Sequence, residues 1–171
     1  MSCIHAQETM TQPEQAQTAP PPNDVWAPPF PHRPELSVDL FGIGTLHEYD
    51  FNNGERARKH LRYGGGAGVN VFFDRHLGVG GDFFSISTHH SFVDTTTGNL
   101  ILRDPIGPVA PYLFAGAGYQ FQGIDQIVGG GGVGLEFRPV PHFGIFVDAR
   151  YLAGAKTDGF GLGRAGVRLS F

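Results

Sequence analysis

The chain has 171 residues, enough for one domain, and its 26 Gly and 13 Pro disfavour a helical bundle. Hydrophobic residues make up 40% and charged ones only 16%, with 15 Phe, so there is apolar material for a core or for a lipid-facing belt. The formal charge of −4 leaves no nucleic-acid footprint, and a single cysteine, Cys3, excludes an internal disulfide and a cysteine-based metal cage.

Residues 1–34 are rich in Pro, Gln, Thr and Ala, and the run PPPNDVWAPPFPHRP reads as an extended polyproline-like segment. A disordered Pro-rich tail is the expectation here. Met1, Ser2 and Cys3 open without a basic or apolar stretch, whereas Ile4 and Ala6 followed by Gln7 and Glu8 fit a cleavage site. The tail therefore reads either as one carrying a signal-peptide remnant or as a plain cytosolic extension.

Residues 35–171 contain no run of 18 apolar residues, which excludes a transmembrane helix but not a barrel, whose strands alternate and give no hydropathy peak. Eight strands are predicted. In the first, 35–46, Leu36, Val38 and Leu40 oppose Ser37, Asp39 and Thr45, while Phe41 and Ile43 break the alternation. Residues 47–61, around Asn53-Gly54, read as a long exposed loop. The second strand, 62–73, points Tyr63, Ala67, Val69, Val71 and Phe73 outward and Arg62 and Asn70 inward. A tight turn at Asp74, Arg75 and His76 leads to the third, 77–88, with Asp82 inside.

A second polar loop spans 89–97. The fourth strand, about 96–104, alternates Leu100 and Leu102 with Asn99 and Arg103, and Pro105, Pro108 and Pro111 are expected to form the turn after it. The fifth, 111–122, sends Leu113, Ala115, Ala117, Tyr119 and Phe121 one way and Tyr112, Phe114, Gly116 and Gly118 the other. The sixth, 127–138, puts Val133, Leu135 and Phe137 out and Glu136 and Arg138 in; residues 139–142 turn the chain. The seventh, 143–152, has Phe143, Ile145, Val147, Ala149 and Tyr151 on one face and Asp148 and Arg150 on the other. The eighth, 161–171, sets Ala165, Val167, Leu169 and Phe171 against Arg164, Arg168 and Ser170.

Connections alternate between long or polar and short, as in an outer-membrane barrel, and an even strand number brings both ends to the short-turn side. The fold expected is all-β: an eight-stranded antiparallel up-and-down transmembrane barrel over 35–171, behind the tail. Its lumen is too narrow for a wide pore. Asp39, Asp82, Glu136, Arg138, Asp148, Arg150, Arg164 and Arg168, joined by Arg62 and Arg103, face that lumen and must pair, because isolated buried charges are costly. The network reads as a structural plug or, alternatively, as a charged gate, and inward Gly64, Gly66, Gly116 and Gly118 would leave room for its long side chains.

PYLFAGAGY, FFDRHLGVGGDFF and the terminal GVRLSF resemble the eight-stranded outer-membrane β-barrel family of OmpA-like and opacity-type small porins. The resemblance covers about residues 35–171. It implies a non-enzymatic outer-membrane protein with both termini periplasmic, structural or acting through its loops, with at most small-solute permeation. Its implied partners are outer-membrane lipid and lipopolysaccharide, and the barrel-assembly machinery, which would read Val167, Leu169 and Phe171 on the last strand.

Two other readings stand beside it. In a soluble lipocalin-like barrel the faces would invert, with apolar residues inside around a small ligand; the aromatics Tyr63, Phe73, Tyr119, Phe137, Phe143, Tyr151 and Phe171 instead fall at strand ends on the apolar face, as interface girdles do. His89 and Ser91, with Asp94 nearby, resemble the His-x-Ser of an outer-membrane lipid A deacylase, but Arg103 stands where that family carries a glutamate. No catalytic residue is assigned. His47, His60, His89 and His90 show no metal-ligand spacing, and GGGGVG lacks the Lys-Ser/Thr and helix of a phosphate loop, so no metal or cofactor is expected.

Overall fold

The computed structural model describes residue 30 and residues 34–48, 59–86, 93–121, 125–156 and 159–171. Eight strands follow one another: β1 (Glu35–Glu48), β2 (Lys59–Phe72), β3 (Leu77–Ser85), β4 (Thr95–Arg103), β5 (Val109–Gln120), β6 (Gln126–Val140), β7 (Phe143–Gly154) and β8 (Phe160–Ser170). Each pairs antiparallel with the next, and β8 returns to β1, closing the barrel through a register that sets Asp39 opposite Arg168 and Ile43 opposite Arg164. Closure leaves no unpaired edge, which is the condition for a sheet to sit in hydrocarbon.

The period-2 pattern decides which face is which. Leu40, Leu100, Leu113, Val133, Val147 and Ile127 project outward and are more than half exposed, while Asp39, Asp82, Asp148 and Arg138 are buried in the lumen. The polarity is that of a water-soluble protein turned inside out. Aromatic side chains on the outer face gather towards the two ends: Phe73, Phe137, Phe143 and Phe171 beside the short turns, and Tyr63, Tyr119 and Tyr151 beside the long connections.

Three short turns share one end. Asp74 makes the β2–β3 turn by accepting the backbone N–H of His76 at 2.6 Å and of Leu77 at 2.8 Å, and these two bonds hold its carboxyl below its ordinary range. Gly107, at φ +61°, turns the chain between β4 and β5, where Ile106 and Val109 form an isolated bridge. Pro141 and His142 join β6 to β7.

Several details depart from the sequence-based expectations. Phe41 and Ile43 do not break the alternation of β1: they lie on the Ser37–Asp39 face and are buried, because the lumen carries an apolar cluster at their depth. β1 and β2 run on into the stretch read as loop, pairing His47 with His60 and Glu48 with Lys59, since a hairpin ladder needs only backbone groups once it has left the apolar zone. β5 begins two residues earlier than expected, at Val109, so Pro111, placed in both the turn and the strand by the sequence, lies within β5 and faces outward opposite Leu135. Pro139 lies within β6 at a register irregularity between Phe137 and Val140, where a missing N–H is tolerated. Of the expected tail, Phe30 and Pro34 are described, and Phe30 is buried. The remainder of the predicted tail lies outside the described residues.

The glycines expected to give the lumen room have a second role. A Cβ at Gly64, Gly66, Gly116 or Gly118 would run into the backbone oxygen of Ser85, Phe83, Gly98 or Thr96, so these positions let neighbouring strands approach where the barrel bends sharply. Gly66 also leaves space for Phe41 and Phe84, and Gly116 for Asn99, just as Gly68, Gly80 and Gly134 lie against Asp82, Asn70 and Tyr112.

Candidate functional site

Among the described residues, ion pairs in the lumen join five buried arginines, Arg103, Arg138, Arg150, Arg164 and Arg168, to five buried carboxylates, Glu35, Asp39, Asp82, Glu136 and Asp148; a sixth buried carboxylate, Asp94, lies at the rim. Alternate positions on adjacent strands bring them together without any loop. Asp39 and Arg168 are direct partners across β1 and β8, and Asp148 and Arg164 across β7 and β8. Five against five balances the charge of these paired side chains.

At the short-turn end, Glu35 and Glu136 serve three guanidiniums. Arg138 donates to Glu35 at 2.9 and 2.9 Å and to Glu136 at 2.9 and 2.6 Å, and is fully buried. Arg103 donates to Glu35 at 3.1 and 3.4 Å and, through Nε, to the backbone oxygen of Arg75 at 2.9 Å. Arg168 completes the group with two 2.7 Å bonds to Asp39 and one of 2.7 Å to Glu136. Asn70 adds a 2.8 Å bond to Asp39, and Ser170 one of 3.1 Å to Glu35. Such planar two-pronged contacts are the strong form of the ion pair.

Deeper in the barrel, Asp148 accepts two 2.8 Å bonds from Arg164 and a third of 2.8 Å from the Tyr112 hydroxyl. Asp82 Oδ2 is shared by Arg150 at 2.7 Å, Arg164 at 3.0 Å and Asn99 at 2.9 Å. Arg150 also reaches Thr97 at 3.0 Å, but its Nε has no hydrogen-bond partner among the described residues. Rings line the guanidinium faces: Arg150 lies 4.6 Å from the Phe114 centroid and Arg164 4.8 Å from that of Phe41. Ile43, Phe84, Leu152 and Leu162 continue the lumen towards the long connections, and Phe41 and Phe146, edge-on at 6.3 Å and both level with Gly166, join this apolar cluster from between the two ion-pair groups.

The structure thus places Asp39, Glu136, Arg138 and Arg168, together with Arg103, in one ion-pair group and Asp82, Asp148, Arg150 and Arg164 in a second, deeper one. Arg62 keeps the inward parity but is exposed near the loop end. Glu35 is the functional residue that the sequence reading missed. Its signal was available, since it shares the parity of Ser37 and Asp39, yet it stands at the first strand position directly after Pro34, where an exposed charge is the usual case. Val167, Leu169 and Phe171 lie on the outward parity of β8, and Phe171 closes the barrel by exchanging backbone hydrogen bonds with Leu36 at 2.8 and 3.2 Å. His89, His90 and Ser91 lie outside the described residues. So do the side chains of His47 and His60. Asp94 accepts the Ser85 hydroxyl at 2.7 Å and the Ile86 N–H at 2.9 Å at the rim of the barrel.

No protein-family model matches the chain, and no curated protein matches it. Solved structures do. The N-terminal β-barrel domain of Pseudomonas aeruginosa OprF aligns with a TM-score of 0.59 at 15% identity, over 80% of this chain and 97% of that one. Ail, the attachment invasion locus protein of Yersinia pestis, solved with the heparin analogue sucrose octasulfate, aligns at 0.55 and 18% identity over 81% and 99%. Neisserial surface protein A aligns at 0.52 and 17% identity over 81% and 97%. The chain has the fold of the small eight-stranded outer-membrane β-barrels.

Proposed function

We propose that this chain is a non-enzymatic outer-membrane β-barrel whose lumen is a sealed structural core, and which makes its contacts through the long connections and the lipid face rather than by passing solutes. The observation that carries this reading is the inverted polarity: outward Leu, Val and Ile around a neutral set of five arginines and five carboxylates. In a soluble ligand-binding barrel the apolar side chains would line the cavity; here they face the surroundings in a belt bounded by aromatic rings.

A gate needs charge that an ion can exchange with. Every lumen arginine among the described residues is held by at least one carboxylate within 3.1 Å, and Phe84, Leu152 and Leu162 carry the apolar cluster towards the loop end. An ion entering would have to displace these pairs in a low-dielectric interior, which favours the plug over the gate. The partners that fit are outer-membrane lipid and lipopolysaccharide on the outer face, and the barrel-assembly machinery at Val167, Leu169 and Phe171. Both ends of the barrel chain would then lie in the periplasm.

The test is expression behind a signal peptide, followed by membrane fractionation, gel mobility with and without boiling, and planar-bilayer recording. A barrel of this reading fractionates with outer membranes, shifts mobility only when heated, and gives no defined open state. Recovery as a detergent-free soluble monomer overturns the membrane assignment; steady conductance by the wild type overturns the sealed lumen.

A further inference from the structure

Arg103 and Arg138, at the short-turn mouth of the lumen, are not covered by the barrel alone. Phe30, which precedes β1 in the chain, is 3% exposed, and its ring centre lies 4.4 Å from Arg138 Cζ and 4.9 Å from Arg103 Cζ. Arg103 Cζ also lies 3.6 Å from the centroid of Phe72, a ring that is itself fully buried. Phe72 and Phe30 therefore both pack on the Arg103 guanidinium, while Glu35 accepts hydrogen bonds from both arginines. A guanidinium satisfied in its plane by a carboxylate keeps its two faces free for rings, which is the geometry in which arginine binds aromatic groups best.

We propose that the short-turn mouth of the barrel is a binding site for an aromatic side chain, filled in cis by Phe30 as the stopper of the charged lumen. The sequence around that residue suits the task. Pro28 and Pro29 before it, and Pro31 and Pro34 after it, fix backbone torsions in the unfolded chain and so reduce the entropy lost when the ring is seated. A stretch whose composition builds no core of its own thus contributes one ring to the core of the barrel. Phe30 thus covers the short-turn group of ion pairs from one side, and Phe41 and Phe146 bound it on the other. Apolar rings on both sides lower the local dielectric, which strengthens the pairs within.

This inference rests on the sealed-lumen reading above, and two measurements on the full chain in lipid vesicles test it. In the first, Trp26→Phe with Phe30→Trp makes residue 30 the sole tryptophan. Its emission is expected to be protected from acrylamide and also from lipids brominated in their acyl chains, because the site faces neither water nor bilayer; strong quenching by either reagent overturns the proposal. In the second, phenylglyoxal modification of individual arginines is followed by mass spectrometry in barrels shown to be folded by their unboiled gel mobility. Phe30→Ala is expected to raise modification of Arg138 and Arg103 roughly tenfold, the scale of a desolvated cation–π contact, while the turn residue Arg75 is unchanged. Wild-type rates at Arg138 and Arg103 in Phe30→Ala overturn the proposal, even where the larger tryptophan is not accepted. Wild-type conductance enters neither measurement, so the stopper and the sealed lumen fail separately.

Discussion

Asp148→Asn removes one charge from the deeper half of the lumen with almost no change of shape. In the wild type, Arg150 and Arg164 share Asp82 and Asp148, two guanidiniums against two carboxylates. After the substitution both depend on Asp82 Oδ2, already approached at 2.7 and 3.0 Å, and the new amide offers donors where Arg164 and Tyr112 also donate. Breaking one side of a buried pair costs about 3–5 kcal/mol, and a buried charged donor left without an acceptor falls in the same range. The assay is urea unfolding in lipid, read by circular dichroism and unboiled gel mobility. The double variant Asp148→Asn with Arg164→Met supplies the decisive comparison. It restores neutrality at four against four and leaves Arg150 alone with Asp82, and replacing a whole buried pair is often close to neutral. The double variant should therefore recover more than half of the loss. A single substitution costing less than about 0.5 kcal/mol, or a double variant with additive losses, would refute the plug.

On the lipid face, Val147→Arg, at mid-strand, should cost about 2–4 kcal/mol in bilayers, whereas Val140→Arg at the short-turn end of β6 should cost about 0–1 kcal/mol; equal costs would mean that the outer belt does not lie in hydrocarbon. Gly116→Ala should sharply reduce refolding yield, because its Cβ meets the Gly98 backbone oxygen, whereas Gly129→Ala, with 3.8 Å to its nearest neighbour, should refold like wild type; matching yields would show that β5 does not bend as described. Asp74→Ala should destabilise the β2–β3 turn and flatten the acid side of the stability profile. Since the folded pKa of Asp74 lies below its ordinary 3.8, its contribution is present above that value and is lost as pH falls through the folded pKa, so wild type and variant should converge at low pH. A difference that is constant across that range would sink this account of the turn.

Period-2 alternation was enough to determine the strand count, the outward face of nearly every strand and the inward placement of Asp82, Glu136, Asp148 and Arg168, because side-chain direction along a strand is a local geometric property. The tight turn at Asp74 was equally local. What alternation does not carry is depth along the barrel and contact across it. Phe41 and Ile43 looked like errors of pattern until neighbouring strands placed Phe84 and Phe146 beside them, making an apolar layer inside a mostly polar lumen. Glu35 and Phe30 looked like a strand margin and a linker, and only the arrival of Arg103 and Arg138 from β4 and β6 made them buried partners. The bend glycines appeared to make space for side chains, whereas the constraint at Gly64 and Gly118 is the backbone of the adjacent strand. The sequence by itself determined which side chains face inward, since that depends on parity alone; the tertiary structure decided which charges neutralise which, because register, shear and closure bring together residues as far apart in the chain as Asp39 and Arg168.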